Sequence, residues 1–566
     1  MTALNASTLS EIGTRGEVAV PSYAPDERRI GIVHFGVGGF HRAHQAMYLD
    51  RLMNAGRDRD WALCGVGLLP GDARMRDALT AQDGLYTLVT KAPDGARDPR
   101  IVGSIAKYLF APDDPEAVLA QMTDPAVRIV SLTVTEGGYN YNPSTGQFQY
   151  ETEAVAADLS TGFAAVGAAA AGPDGANGPD GADVVNGANG PDGADVVNGA
   201  NGPDGADVVN GADGADGAGA DPAHPAGHPR TMFGFVVEAL RRRREAGTAP
   251  FTVMSCDNVR GNGDLAKRMI LAYARRRDEN GLHGDAPIAD WLESEVAFPN
   301  CMVDRITPVT APEDIEMIAS DYGIEDAWPV VSEDFVQWVL EDHFPAGRPA
   351  YEEAGVQMVE DVEAYELMKL RLLNCSHQAI AYFGLLLGQT YADEAAVDEH
   401  LAPFTRTLYM DHEGTPAVPE VPGIDLDAYK DELMARFANR EVKDTLARLA
   451  AESSDRIPTW LVPVIRENLE AGRDVTASAA IVASWARYAE GTGENGEEWP
   501  VVDRLHDRVM AAAARHDEDP LAFLRDEELF GDLVQREAFT TPYLHALEML
   551  RTTGARALLA ELVTRT

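Results

Sequence analysis

The chain has 566 residues, 45% of them hydrophobic, a length that suits two or three domains around a large core. Its formal net charge of −44 disfavours nucleic acid and anionic membrane surfaces as partners, because both repel an acidic protein. No apolar run approaches the ~18 residues that span a bilayer, and the N-terminal MTALNASTLSEIG lacks the basic and apolar regions of a secretory signal, so a cytoplasmic protein is expected.

In chain order, Arg29–Phe35 (RIGIVHF) reads as a buried strand. It runs into Gly36-Val37-Gly38-Gly39-Phe40-His41-Arg42 and then an apolar-periodic helix through Leu49 and Leu52. Strand, glycine turn and helix form the context in which backbone N–H groups and a helix dipole hold a pyrophosphate. The third glycine of the G-x-G-x-x-G pattern is His41 here, so the generic fingerprint is incomplete, and a tight turn without a ligand is the plainer alternative. Trp61–Gly67, Tyr86–Lys91 and Arg128–Thr135 read as further strands, with helices over Asp72–Ala81 and Asp114–Met122. Then come a helix at Thr231–Arg244, a strand at Phe251–Cys256 and a helix at Gly263–Arg277. Such alternation predicts an α/β fold with a parallel, doubly wound sheet. From Asp326 onward helical patterns dominate, as in Ala364–Leu387, Val475–Gly491 and Tyr543–Leu562. The expected division is therefore an N-terminal dinucleotide-binding domain over 24–325 and a mostly α-helical substrate and catalytic domain over 326–566.

The first domain is interrupted over 164–228. There NGPDGADVVNGA occurs three times unchanged, at Asn177–Ala188, Asn189–Ala200 and Asn201–Ala212. Ten Asp and no Lys, Arg or Glu stand between Gly172 and Asp221, so the segment has little apolar surface to offset ordering and reads as a disordered acidic insert. A calcium-binding β-roll would need a nine-residue rather than a twelve-residue repeat. Only six lysines occur in the whole chain; an acidic, lysine-poor surface suits high salt, although an arginine-favouring GC-rich genome gives the same pattern.

The densest chemistry lies in MKLRLLNCSH. At ~100° per residue, Asn374 falls about 140° round the helix from Lys369 and His377 about 80°, with Glu366 one turn earlier in the same arc. A lysine at its ordinary pKa of ~10.4 is charged and useless as a base. Burial among Met368, Leu370, Leu372 and Leu373 would lower that value. Lys369 is thus the candidate general base for removing a proton from an alcohol. Asn374 is one candidate donor to the oxygen left behind, and Asn258, just past the Phe251–Cys256 strand, is a second. The alternatives are a buried Lys–Glu pair with a satisfied Asn and His, and an Asn258 that merely caps a turn. Cys64, Cys256, Cys301 and Cys375 form no C-x-x-C pair and read as reduced, buried residues. His41 and His44 share a metal-compatible spacing, but no neighbouring carboxylate or thiol completes a set, so no metal is expected.

HFGVGGFHRAHQ, SLTVTEGGY, SCDNVRGNG, FPNCMVDRITP, DFVQWVLED and K-x4-N-x2-H occur in this order between Ile30 and Trp485. Together they resemble the polyol-specific long-chain dehydrogenase/reductase family. The resemblance implies a Rossmann-like first domain, a helical second domain and an active site in the cleft between them. It implies NAD as cofactor, held by Gly36, Val37, Gly38, Gly39, Phe40 and Arg42, with Asp72 selecting the ribose 2′-hydroxyl, although Arg74 and Arg76 leave room for NADP. Glu136 is placed near the nicotinamide. Lys369 matches the family's catalytic lysine, Asn258 and Asn374 its oxyanion pair, and Glu366 a proton relay to solvent. His377 would bond a substrate hydroxyl, and Asp304, Arg448 and Arg456 match substrate-contacting positions. Arg456 departs from a lysine in the family pattern, which puts the choice among polyols in doubt. The expected reaction is metal-free oxidation of a polyol such as D-mannitol to a ketose such as D-fructose at C2, by a monomer whose partners are small molecules alone. A uronate reductase, another polyol dehydrogenase such as one for arabinitol, and a non-catalytic NAD or sugar sensor are the competing readings.

Overall fold

The computed structural model describes residues 1–142, 145–163, 227–494 and 496–564. The three acidic repeats, and the disorder and β-roll readings attached to them, lie outside the described residues. The central sheet has five parallel strands: β1 (Ile30–Phe35), β2 (Ala62–Gly67), β3 (Ile105–Phe110), β4 (Ile129–Leu132) and β5 (Thr252–Ser255). Their order across the sheet is β3-β2-β1-β4-β5. The order reverses at β1, so a crevice opens beyond the C-terminal ends of β1 and β4, where open α/β sheets receive ligands.

Successive residues of these strands point to opposite faces, and both faces are buried. Val33, Phe35, Val130, Leu132 and Val253 pack beneath helices Pro115–Thr123, Met232–Ala246 and Asn262–Glu279. Ile32, Ile129 and Met254 pack on the other side, beneath Gln45–Asn54 and Ala73–Ala81. The doubly wound Rossmann-like architecture expected from the sequence is present, with two differences in detail.

Tyr86–Lys91 is a strand, but it stands outside this sheet, antiparallel to Arg97–Val102 and parallel to Val330–Glu333. The place next to β2 belongs to β3, an edge strand whose outward residues are half-exposed and include Lys107; that mixture hides it from hydropathy. The boundary at 326 also shifts. Gln337–Glu341 pairs antiparallel with Cys301–Asp304 and parallel with Gln357–Val359, so sheet-forming chain continues past 326 and helices take over at Glu363. Those late strands have four, five and three residues, too short to display a period of two.

The helical region is centred on two helices buried almost all round, Cys375–Leu386 and Thr476–Tyr488. The helix expected over Tyr543–Leu562 is two helices, Glu537–Thr552 and Ala555–Thr564, divided at Gly554 with φ +89°. The stretch Ala364–Leu387 is helical throughout but not uniformly α: Glu363–Met368 is α, Lys369–Asn374 is π, and Cys375 resumes α.

Candidate active site

The glycine turn follows β1. Gly36 has φ +89°, and a Cβ there would stand 1.9 Å from the Thr133 carbonyl at the end of β4. Only glycine fits, and the crevice mouth is built on that approach. Gly38 precedes the short helix Gly39–Ala43, whose opening N–H groups have no partner within the helix. His41, at the missing third glycine, is fully buried and stacks on His34 of β1 at 3.5 Å and 11°. A flat ring thus fills the helix–strand contact that a glycine would otherwise allow. Val37 is buried in the core beside Phe40. The structure places Arg42 differently from expectation. Its guanidinium is buried, donates to the carbonyls of Trp328 and Gly38 and lies over Tyr86, so its side chain braces the turn instead of facing the crevice.

The π segment decides how the lysine face is arranged. Winding with i→i+5 bonds, roughly 4.4 residues per turn, brings Asn374 to about 50° from Lys369 after one turn, not the 140° of an α-helix. The amine and the amide therefore share one face. Lys369 is 6% exposed, and its Nζ donates to Asn258 Oδ1 at 2.5 Å and to the Val303 carbonyl at 2.6 Å. Burial drives its pKa below the ordinary lysine value, against the pull of Asp304. A neutral amine has two N–H groups and one lone pair. In the neutral form both hydrogens would go to these fixed acceptors and leave the lone pair as the free valence. With Oδ1 occupied by the lysine, the Asn258 amide presents its Nδ2. Asn374 is buried, and its Nδ2 has no hydrogen-bond partner among the described residues.

Behind the lysine lies a cavity of about 20 Å³ lined by Asn258, Arg260, Val303, Glu366 and Lys369 among others. That is room for about one water. Glu366 accepts from Gly261 N–H at 3.0 Å, and burial raises its carboxyl to about 7. A depressed amine and a raised carboxyl thus border the same small space, the pairing that proton transfer near neutral pH requires.

Asp304 is buried at the end of its strand. Both its oxygens accept from Arg436, at 2.8 and 3.0 Å, and its pKa is lowered despite burial. Arg305, next in sequence, donates to Ala43 O and so ties this strand to the helix after the glycine turn. His377 is half-buried with its ring 4.6 Å from that of Phe437; burial pushes its pKa to about 3, so the imidazole is neutral. Arg448 is held by Asp444 at 2.6 and 2.5 Å. Arg456 donates to Leu449 O at 2.9 Å and lies over Trp460. Glu136 adds a charge near Arg456 from the short helix Thr135–Gly138 after β4. Arg436, Glu333 and the Val303 carbonyl were not legible in the sequence, because each joins the site from a distant segment and no local spacing marks it.

At the end of β2, Asp72 Oδ2 accepts the N–H groups of Leu68 and Leu69 at 2.8 and 2.9 Å, which fixes its carboxylate. Arg74 lies over Trp328, and Arg76 pairs with Asp77 and Asp113. The two cations that could have welcomed a 2′-phosphate are thus already engaged. The four cysteines are buried and unpaired. Among the described residues no three His, Cys, Asp or Glu side chains converge as a ligand set. His44 turns to Gln337 O while His41 turns to His34.

The sequence matches the profile of the mannitol dehydrogenase Rossmann domain over residues 30–353 and that of the mannitol dehydrogenase C-terminal domain over residues 361–551. The chain belongs to the mannitol dehydrogenase family. It is 40% identical over 562 residues to mannitol 2-dehydrogenase of Phaeosphaeria nodorum, across 99% of this chain and 85% of that protein. Among solved structures it is similar to Pseudomonas fluorescens mannitol 2-dehydrogenase in ternary complex with NAD and D-mannitol, at 36% identity and TM-score 0.79 over 100% of both chains. It is similar also to a substrate-free D-sorbitol dehydrogenase, at 34% identity and TM-score 0.79 over 98% of this chain and 100% of that one. The family's two profiles meet between 353 and 361, where the last short strand gives way to the helix that leads into Lys369. A mannitol dehydrogenase family member with this crevice is an oxidoreductase built on a dinucleotide-binding domain.

Proposed function

We propose that this protein interconverts D-mannitol and D-fructose by hydride transfer at C2, with Lys369 as general base and Asn258 and Asn374 as donors to the reacting oxygen. NAD is the cofactor. The observation that carries the reading is the buried Lys369 amine, with two hydrogens committed to Asn258 Oδ1 and Val303 O and its pKa depressed. The glycine turn, with no space for a Cβ at Gly36, and the fixed carboxylate of Asp72 suit a dinucleotide lacking a 2′-phosphate.

In oxidation, the Lys369 lone pair accepts the proton of the C2 hydroxyl. Asn258 Nδ2 and Asn374 Nδ2 then face the oxygen as negative charge develops on it, a preorganised pair in a site shielded from water. The bound nicotinamide supplies the hydride acceptor. Lys369, now an ammonium, hands its proton towards Glu366, whose pKa of about 7 suits a relay to solvent through the small cavity. Reduction runs these steps backwards, with the ammonium as acid. Asp304 and His377 line the same face as acceptor and neutral hydrogen-bonding groups for the remaining substrate hydroxyls. The proton-accepting and oxygen-polarising roles are filled by the chain's own residues, so the reading needs no metal.

The likeness to the Pseudomonas fluorescens mannitol 2-dehydrogenase in ternary complex with NAD and D-mannitol supports the mannitol reading. A uronate reductase would need a strong extra cation for its carboxylate; Arg448 is already engaged by Asp444, and Arg456, the candidate for that role, donates to the Leu449 carbonyl and lies over Trp460. The reading takes the protein as a monomer acting on small molecules; among the described residues no helix is long and apolar enough to cross a membrane. Steady-state kinetics with mannitol, sorbitol, arabinitol, fructose and fructuronate, with both coenzymes, tests it. Mannitol with NAD and fructose with NADH should have the highest kcat/KM. Faster turnover of fructuronate than of fructose would overturn it.

A further inference from the structure

Arg436 lies on helix Leu426–Phe437, far in sequence from every motif that marks the site, and is 5% exposed. Four of its donor bonds are made to two buried carboxylates. Nη1 and Nη2 grip Asp304 at 2.8 and 3.0 Å, while Nε and Nη2 grip Glu333 at 2.9 and 2.8 Å. The ring of Phe335 lies 3.9 Å beneath the guanidinium. Asp304 and Glu333 come from the sheet region and Arg436 from the helices, so one fork ties the two regions together next to Lys369. We propose that Arg436 is a positioning residue: it holds Asp304 in one orientation towards the substrate and balances the carboxylate charge around Lys369, so that the lysine can remain neutral.

The inference rests on the reading of Lys369 as the base. Fork-to-carboxylate bonding at both oxygens fixes the plane of Asp304 and leaves each oxygen one lone pair for a substrate hydroxyl. The charged and titratable groups around the lysine are Asp304 and Cys301 on the adjoining strand, Glu366 on its own helix, Arg436 opposite, and His44 beside the glycine turn. Asp304 favours the ammonium form and Arg436 opposes it. Without Arg436, Asp304 would stand unpaired beside the amine and hold the proton on it.

The test is the pH profile of kcat/KM for mannitol oxidation, with NADH affinity measured by fluorescence titration. In Arg436→Gln the acidic limb should move up by about 1–3 pH units, the shift an opposite charge within a few ångströms produces, while NADH affinity stays within about threefold. Arg436→Lys keeps the charge but not the fork; its limb should stay near the wild-type position while KM for mannitol rises about tenfold. If Arg436→Gln does not fold, the double variant Arg436→Gln/Glu333→Gln removes one charge of each sign and still leaves Asp304 unpaired, and its limb should move in the same direction. A folded glutamine variant, single or double, whose limb stays at the wild-type pH overturns the charge role. A lysine variant with wild-type KM overturns the orienting role. A wild-type profile with no acidic limb would instead sink the lysine-base reading, which keeps the two failures distinct.

Discussion

Replacing Lys369 by alanine removes three things on the proposed mechanism. The first is the proposed proton acceptor. A positioned base contributes about 10²–10⁴-fold, or roughly 3–5 kcal/mol of barrier. The second is the donor to the Val303 carbonyl; Val303 is 2% exposed, so that acceptor is left buried and unsatisfied at a cost of about 1–3 kcal/mol of stability. The third is the bond that orients Asn258, so the loss in turnover should lie at or beyond the upper end of the range for the base alone. The pH dependence should change as well. With the lysine pKa depressed and the proposed base acting in its neutral form, wild-type oxidation should rise as pH climbs through that pKa and then level, while fructose reduction should fall over the same interval. Initial rates followed by NADH absorbance across pH, with NADH affinity from fluorescence titration and Tm from calorimetry, measure all of this. The expected result is turnover lower by at least about 10³-fold, a lost lysine limb, a Tm lower by several degrees and unchanged NADH affinity. Turnover within tenfold of wild type would remove Lys369 from the mechanism.

Asp72→Asn keeps an acceptor for the Leu68 and Leu69 N–H groups but discards the charge that opposes a 2′-phosphate, so the NAD-over-NADP ratio of kcat/KM should fall about tenfold or more; coenzyme kinetics give the answer, and an unchanged ratio would place discrimination elsewhere. Glu413 is a buried carboxyl that caps helix Thr476–Tyr488 through Ala477 N–H and Ser478, and burial raises its pKa to about 8. The folded chain therefore holds this proton more tightly than the unfolded chain does, with its carboxyl near about 4.3. The group's contribution to stability is complete below that value and declines as pH rises towards about 8. Glu413→Gln should flatten the pH dependence of Tm across that window, and a slope equal to wild type would show that Glu413 does not titrate there.

Much of this molecule could be read from its sequence, for local reasons. A strand–glycine–helix junction declares itself because Gly36 must adopt a conformation and an approach that other residues cannot. The strands buried on both faces declare themselves as apolar runs, and Lys369, Asn374 and His377 lie close enough in sequence to share a helix whatever its pitch. The strands of three to five residues between 330 and 359 did not, since so few residues carry no period.

What the sequence determined by itself was the kind of layers and the proposed Lys369–Asn374–His377 group, because both depend on neighbours along the chain. The tertiary structure alone decided the rest. It decided that the helix widens to π winding, which turns Asn374 onto the lysine's face. It decided that Asn258 and Val303 take the amine's two hydrogens, and that Arg436 reaches across to Asp304. The physical reason is that an amine's protonation state and free valence are set by what surrounds it in space, and here those surroundings come from segments more than sixty residues away along the chain.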